Sequence, residues 1–279
     1  MDNQDLFAEA ARSERPDLVR LCLLICAEAD VELDQHGMDA VEIELDRLAG
    51  SLPYGRDRSP ADWARVLAEA LGRREGFAGR PADYRRLESS LLHQVLRRRR
   101  GLPILLSVVW MEVGRRAGAP MYGVALPGHF VVGVGEPDGD HVLVDPFAGG
   151  RPLPEGEVDL LVSEATGDRE RASARAAASL LLPADPVEIV LRVLNNIRAW
   201  AAARPEHSDV QLWAVDLALR LPHHPAQLRL ERAQLLVDRG QFRDGAAEME
   251  EYANAIAAME PAAAGAARRR ARSARARLN

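Results

Sequence analysis

The sequence is poor in cysteine and has no long apolar run. Its 279 residues include two cysteines, Cys22 and Cys26, and their spacing suits one face of a helix better than a disulfide framework. No apolar run reaches the roughly 18 residues that a membrane span needs. The first residues are acidic and polar, unlike the basic start of a secretion signal. We therefore expect a protein of the reducing cytoplasm with no membrane segment.

Lysine is absent, so all 36 basic residues are arginine, against 42 acidic residues and a net charge of −6. Six of these arginines follow Glu260 in a stretch that contains no acidic residue. The residues up to Glu260 contain the other 30 arginines and all 42 acidic residues, which gives them a net charge of −12. Because so acidic a body repels phosphate backbones, we do not expect general nucleic-acid binding.

The first hundred residues have helical periodicity. The clearest helix has Ser59 as its cap and Pro60 at its first position, and its apolar residues recur at helical spacing up to Gly72. Asp39 followed by Glu42 resembles a capping box and predicts another helix start. Four arginines at residues 97–100 close a further helix, where they either bind an anion or stabilise the helix C-terminus.

The pattern changes after residue 100. Residues 104–116 are a densely apolar helix, and three short strand-like runs follow at 121–126, 130–134 and 141–144. A buried helix followed by a small antiparallel sheet predicts an α+β fold. The predicted organisation is a helical N-terminal region at 1–100, a core at 101–160 packed with it as one domain, a linker at 161–186, a helical domain at 187–260 and an Arg/Ala-rich tail at 261–279. The tail is either a frayed helix or disordered, and its arginines favour a solvated terminus.

Two polar residues, His129 and Asp145, stand at neighbouring strand ends. The sequence Pro-Asp-Gly at 137–139 suits a three-residue loop with Gly139 in the left-handed conformation. In that register Asp145 lies opposite Val131, on the same face as His129 and about 7–8 Å from it by Cβ. A two-residue loop would put the two side chains on opposite faces. The loop chemistry therefore predicts a His–Asp pair, which serves a site or only holds the hairpin.

A nucleophile for this pair is missing from the expected place. Thiols are best activated at a helix N-terminus, but residues 102–105 include no Cys, Ser or Thr. Ser107, about one turn inside the helix, is a weak candidate because a serine needs a base within reach. Cys22 and Cys26 belong to a helix that is apolar nearly all round, which favours a core role.

An ordered series of motifs carries a family resemblance over residues 18–252. The motifs are RRGLPILLS at 99–107, GAPMYG at 118–123, LPGHF at 126–130, VDPF at 144–147, LNNIR at 194–198 and RGQF at 239–242. Together they resemble the bacterial SirB-type family, which has a transglutaminase-like core of the papain-like superfamily and a C-terminal tetratricopeptide-like repeat. In that superfamily a Cys begins a helix, and a His and an Asp follow on strands. The resemblance places these three at Pro103, His129 and Asp145, and proline supplies no nucleophile.

The resemblance and the proline together favour a non-catalytic protein that binds a protein partner through its C-terminal helical repeat. The alternative is a hydrolase or acyl-transferase that uses His129 and Asp145 with Ser107 or an unexpected thiol. A third interpretation is a small-ligand site beside His129. We expect no cofactor. We also expect no metal site, because the adjacent His223 and His224 point apart and lack a third ligand. The sequence does not specify an oligomeric state.

Overall fold

The computed structural model describes residues 2–55, 57–126, 128–154, 156–158, 160 and 181–277. The chain divides into two compact units, Pro16–Val193 and a second unit made of Met1–Arg15 with Leu194–Asn279. We call these the sheet unit and the helical unit. Of the predicted linker at 161–186, residues 161–180 lie outside the described residues.

The helices and strands confirm the predicted α+β class. Short π- and 3-10 helices occur at Ala68–Arg74, Pro81–Arg85, Leu87–Ser90, Pro146–Ala148 and Pro205–His207. The α-helices are α1 (Asn3–Ala11), α2 (Leu18–Ala29), α3 (Gln35–Gly50), α4 (Pro60–Leu67), α5 (Leu92–Arg98), α6 (Pro103–Arg116), α7 (Pro186–Ala202), α8 (Ser208–Arg220), α9 (Gln227–Asp238), α10 (Phe242–Ile256) and α11 (Pro261–Ala276). The antiparallel sheet has the order β1 (Met121–Val124), β2 (Val131–Gly135), β3 (His141–Asp145), β4 (Arg151–Pro152).

Side-chain caps determine where several helices begin. Ser59 accepts a hydrogen bond from the Asp62 backbone N–H, and Pro60 opens α4 as predicted. The predicted start at Asp39 is wrong, because Asp34 caps α3 five residues earlier through the Gly37 N–H. The helical path also does not end at Gly72. It continues as a π-helix to Arg74, since one interior glycine costs a helix only about 1 kcal/mol.

The core of the sheet unit forms around α6. Its side chains are buried along most of its length, and Trp110 is completely enclosed. α6 contacts β1 and β2 on the sheet and α2, α3 and α5 among the helices. A helix that is apolar nearly all round needs neighbours on all sides, which explains why the sheet and the preceding helices form one unit.

The register of the second hairpin is the predicted one. Val132 pairs with Val144 and Gly135 with His141, so a three-residue loop at 137–139 joins the strands. The expected left-handed conformation of Gly139 is wrong, because the positive φ of +116° belongs to Gly135. A Cβ at Gly135 would lie 2.2 Å from the carbonyl oxygen of Asp140. The strand therefore makes its left-handed turn at Gly135, before the loop rather than inside it.

The helical unit differs from the predicted organisation at both ends of the chain. α1, expected with the rest of residues 1–100, packs on α8, and Asp5 lies 3.1 Å from Arg220. Residues 261–276 form α11, so the helical alternative for the tail is the observed one, but α11 buries four alanines and is not a solvated terminus. The alanines of α11 recur three or four residues apart, and this narrow apolar face packs on Tyr252, Ile256 and other residues of α10.

Candidate functional site

His129 and Asp145 meet as a hydrogen-bonded pair. Nε2 of His129 lies 3.1 Å from Oδ2 of Asp145, and the two side chains are 18% and 10% exposed. The other carboxylate oxygen, Oδ1, accepts a hydrogen bond of 2.9 Å from the Phe147 N–H. Because that bond fixes the carboxylate, Asp145 can orient the ring, and a proton on Nε2 leaves Nδ1 as the basic nitrogen.

Arg192, a residue that the sequence analysis missed, holds the backbone at this site. Its Nη2 donates hydrogen bonds of 3.2 Å to the carbonyl oxygens of Leu126 and His129. The guanidinium carbon lies 5.5 Å from the centre of the Phe130 ring. Burial lowers the pKa of Arg192 below its usual value. An arginine more than sixty residues away in the sequence thus fixes the start of β2, and no local pattern could reveal it.

Tyr84 is a second residue at this site that the sequence did not indicate. Its ring centre is 6.0 Å from that of Phe147, and the residue is 53% exposed. Burial, and secondly the negative charge of Asp145, raise the pKa of the Tyr84 hydroxyl. The site therefore has a phenol near its carboxylate, in addition to the imidazole.

The structure provides no activated nucleophile at Pro103 or Ser107. Pro103 is the buried first residue of α6, where the N-cap, Leu102, makes no side-chain hydrogen bond. The Ser107 hydroxyl is completely buried and donates to the carbonyl oxygen of Phe130 at 3.4 Å. Ser107 therefore joins α6 to the residue that precedes β2, which is a structural contact.

The two cysteines are core residues, as the sequence predicted. Both are free and buried, and burial raises both thiol pKa values, that of Cys26 to about 12. The Cys26 sulfur also accepts hydrogen bonds from the N–H groups of His93 and Leu92, at the start of α5 where no side chain caps the helix. A thiol so far from ionisation is a poor nucleophile at neutral pH.

Internal carboxylates pair with three of the four arginines at 97–100, and Arg97 donates instead to the side-chain oxygen of Gln94 at 2.8 Å. Arg100 lies 2.8 Å from the buried Asp83 and Arg98 lies 3.7 Å from it. Arg99 forms ion pairs with Glu44 and Glu75. These contacts favour a structural role for the arginines over the binding of an external anion.

The described part of the chain contains no group of three His, Cys, Asp or Glu side chains placed to hold a metal ion. His223 has a left-handed backbone, and Nδ1 of His224 lies 2.8 Å from the Leu221 carbonyl oxygen. Among the same described residues, we find no helix with the length and apolar character that a membrane crossing requires.

Comparison with known proteins identifies relatives of this chain. A UPF0162 protein of Xylella fastidiosa is 39% identical over 155 residues, which are 55% of this chain and 54% of that protein. The UPF0162 protein PA3419 of Pseudomonas aeruginosa is 32% identical over 209 residues, 74% of this chain and 73% of that protein. Human F-box only protein 21 is 26% identical over 161 residues, 55% of this chain and 24% of that protein.

The matched part thus spans about half the length of the Xylella relative. Residues 39–195 match the sequence profile of the Transglutaminase-like superfamily, and this segment contains Pro103, His129, Asp145 and Arg192. The match covers more than half of the chain. This chain therefore belongs to the transglutaminase-like superfamily and to the UPF0162 family.

Proposed function

We propose that this chain is a non-catalytic member of its superfamily that acts as an interaction or regulatory module by binding another protein in the cytoplasm. The observation that carries the proposal is Pro103 at the first position of α6. By resemblance, this position belongs to the nucleophile, and a proline side chain has neither a thiol nor a hydroxyl to activate.

The other potential nucleophiles support the same conclusion. Ser107 is buried and bonded to the Phe130 carbonyl, and the thiols of Cys22 and Cys26 are buried with raised pKa values. An acyl-transfer site needs its nucleophile within about 2.6–3.2 Å of the imidazole, or somewhat farther without substrate. His129 and Asp145 would then hold the shape of the site or contact a bound ligand.

The binding surface belongs to the helical unit, which resembles a tetratricopeptide-like repeat of the SirB type. A cavity of about 580 Å³ opens there between α7, α8 and α9. Its lining mixes apolar residues with an internal network, in which Arg198 pairs with Glu231 and Gln211 donates to Glu231 at 2.9 Å. A groove with both apolar and polar groups suits a peptide segment of a partner.

A substitution that fills this groove tests the proposal. Ala199 is exposed on α7 and lines the cavity, so Ala199→Arg should block a partner without disturbing the core. Ala255→Arg on the exposed side of α10 adds the same side chain away from the groove and is the matched control. Cross-linking with the full chain should yield a partner that the control keeps and Ala199→Arg loses. Equal capture by both variants would contradict this surface.

The ordered His129–Asp145 pair favours a second candidate, a hydrolase or acyl-transferase of the papain or transglutaminase type. Turnover by the wild type decides between the candidates, and the reactivity of an introduced thiol tests where residue 103 lies relative to the pair. Wild-type protein should not turn over amide or ester substrates, and turnover that His129→Ala abolishes would establish the enzyme. The resemblance places residue 103 beside the imidazole. In that arrangement, iodoacetamide should alkylate the thiol of Pro103→Cys about tenfold faster at pH 7 with His129 than with His129→Ala, because a neighbouring imidazolium favours the thiolate.

A further inference from the structure

A cavity lined with arginine lies in the sheet unit, away from the His–Asp pair. Its volume is about 490 Å³, and it opens along α4 and the π-helix that continues it. The charged residues of its lining are Arg58, Arg65, Arg73, Arg74, Asp62 and Glu69. Four positive charges thus face two negative ones, in a protein whose overall charge is −6. This local reversal of sign indicates a preference for anions.

The two acidic residues are already paired within the cavity lining. Asp62 forms an ion pair with Arg65, and Glu69 forms one with Arg73. Oε2 of Glu69 is nevertheless buried and has no well-oriented hydrogen-bond donor among the described residues. Within the described ranges, neither Arg58 nor Arg74 has a carboxylate partner. The positive charge available to a ligand therefore comes mainly from these two arginines.

Arg58 carries the strongest sign of a missing partner. Its guanidinium carbon lies 4.7 Å from the centre of the Trp63 ring, which holds the group in place. Its Nη1 atom is buried and has no hydrogen-bond acceptor among the described residues. Arg58 also lines the cavity, so the part of its guanidinium that faces the cavity can donate charge-assisted hydrogen bonds to an anion there.

The backbone of the cavity wall is also unusual. Residues Ala68–Arg74 form a π-helix, which is rare and occurs often at functional sites. This segment contributes Glu69, Arg73 and Arg74 to the lining. The irregular turn thus coincides with three of the six charged residues of the cavity.

From these observations we propose that the cavity binds a small oxyanion ligand with two or more negative charges, carried on phosphate or carboxylate groups. Arg58 and Arg74 would donate to the ligand directly, and Arg58 would be held for this by Trp63. Paired N–H donors of arginine match both kinds of oxyanion. The site does not depend on the proposed protein-binding function, because its residues belong to the other unit.

Titration calorimetry of the full chain with pyrophosphate and with citrate tests the site. At low ionic strength we expect one of them to bind with a millimolar Kd or tighter, and the tighter one identifies the ligand as phosphate- or carboxylate-bearing. Arg58→Gln should weaken this binding about tenfold or more, since a charged hydrogen bond is lost. Arg74→Gln, at an exposed position, should also weaken it and tests the proposal if Arg58→Gln unfolds.

The matched control is Arg243→Gln, which removes the same charge from an exposed position in α10 and should leave the Kd unchanged. Binding of neither anion would overturn the proposal. So would an equal loss of affinity in Arg243→Gln, because the effect would then reflect net charge alone. Unchanged affinity in both Arg58→Gln and Arg74→Gln would overturn it as well.

Discussion

The sheet unit and the helical unit fill their interiors in different ways. The sheet unit encloses large side chains, such as Trp110, Phe77 and Phe130, and the Trp110 ring packs against the backbone of Gly150 from a distant part of the sequence. In the helical unit, the interface between α10 and α11 consists mostly of alanine and a few larger residues. A large ring needs a neighbour of matching shape, whereas alanine needs only the right spacing. The sheet unit should therefore tolerate small changes poorly, and the helical unit should tolerate them well.

The largest effect should come from Gly150→Ala in the sheet unit. Gly150 has a φ of +86°, and an added Cβ would lie 2.0 Å from Cη2 of Trp110. Overpacking and the left-handed conformation together should cost about 4 kcal/mol of unfolding free energy. Urea denaturation monitored by tryptophan fluorescence would measure this loss. A loss of less than about 1 kcal/mol of unfolding free energy would show that the Trp110 ring can move aside. The sheet unit would then tolerate small changes better than this contrast predicts.

Charge pairs provide the second contrast between the units. Asp83 of the sheet unit is 1% exposed and pairs with Arg100 and Arg98, so Asp83→Asn should destabilise the protein by about 3 kcal/mol. Glu250 of the helical unit pairs with Arg275, and both side chains are more than 40% exposed. Glu250→Gln should therefore cost less than about 1 kcal/mol. Similar costs in chemical denaturation would contradict the contrast.

Acid should act on the sheet unit through Glu44. Its hydrogen bonds with Arg47 first, and with Arg99, lower the pKa of Glu44 from 4.5 to about 2. A carboxyl group whose pKa falls on folding stabilises the folded state fully above pH 4.5, and this contribution is lost as the pH falls toward 2. Glu44→Gln should remove about 1 kcal/mol at neutral pH and flatten the stability curve in that window. If the Tm of Glu44→Gln fell as steeply as that of the wild type between pH 4.5 and 2, the proposed role of Glu44 would be contradicted.

The sequence predicted the features that local chemistry determines. The Ser59 cap, the buried helix α6 and the register that joins His129 to Asp145 each depend on residues close together in the chain. The left-handed glycine was placed wrongly at Gly139, because the need for it at Gly135 arises from the Asp140 carbonyl across the hairpin. Nothing near residue 129 in the sequence indicates Arg192.

The C-terminal helix α11 was misjudged for a different reason, which is the composition of its apolar face. Its alanines have a clear helical spacing, but the six arginines between and after them favoured the interpretation as a solvated tail. Alanine contributes little apolar area for each residue, so a face made of it gives a weak signal. The sequence of α11 alone does not show that it packs on α10. The effect of a substitution in α11 on the stability of the protein tests this packing.

The smallest effect should be a gain, from Gly265→Ala in α11. The nearest atom to an added Cβ is the Arg269 Nη1 at 3.6 Å, an ordinary contact, and the backbone there is right-handed helix. Alanine should therefore stabilise the helix by about 0.5–1 kcal/mol, because the unfolded chain loses freedom that glycine keeps. Differential scanning calorimetry would detect the rise in Tm. A neutral result would mean that α11 is not held as a helix in the folded state, and the sequence's first indication of a solvated terminus would then be the better description of residues 261–279.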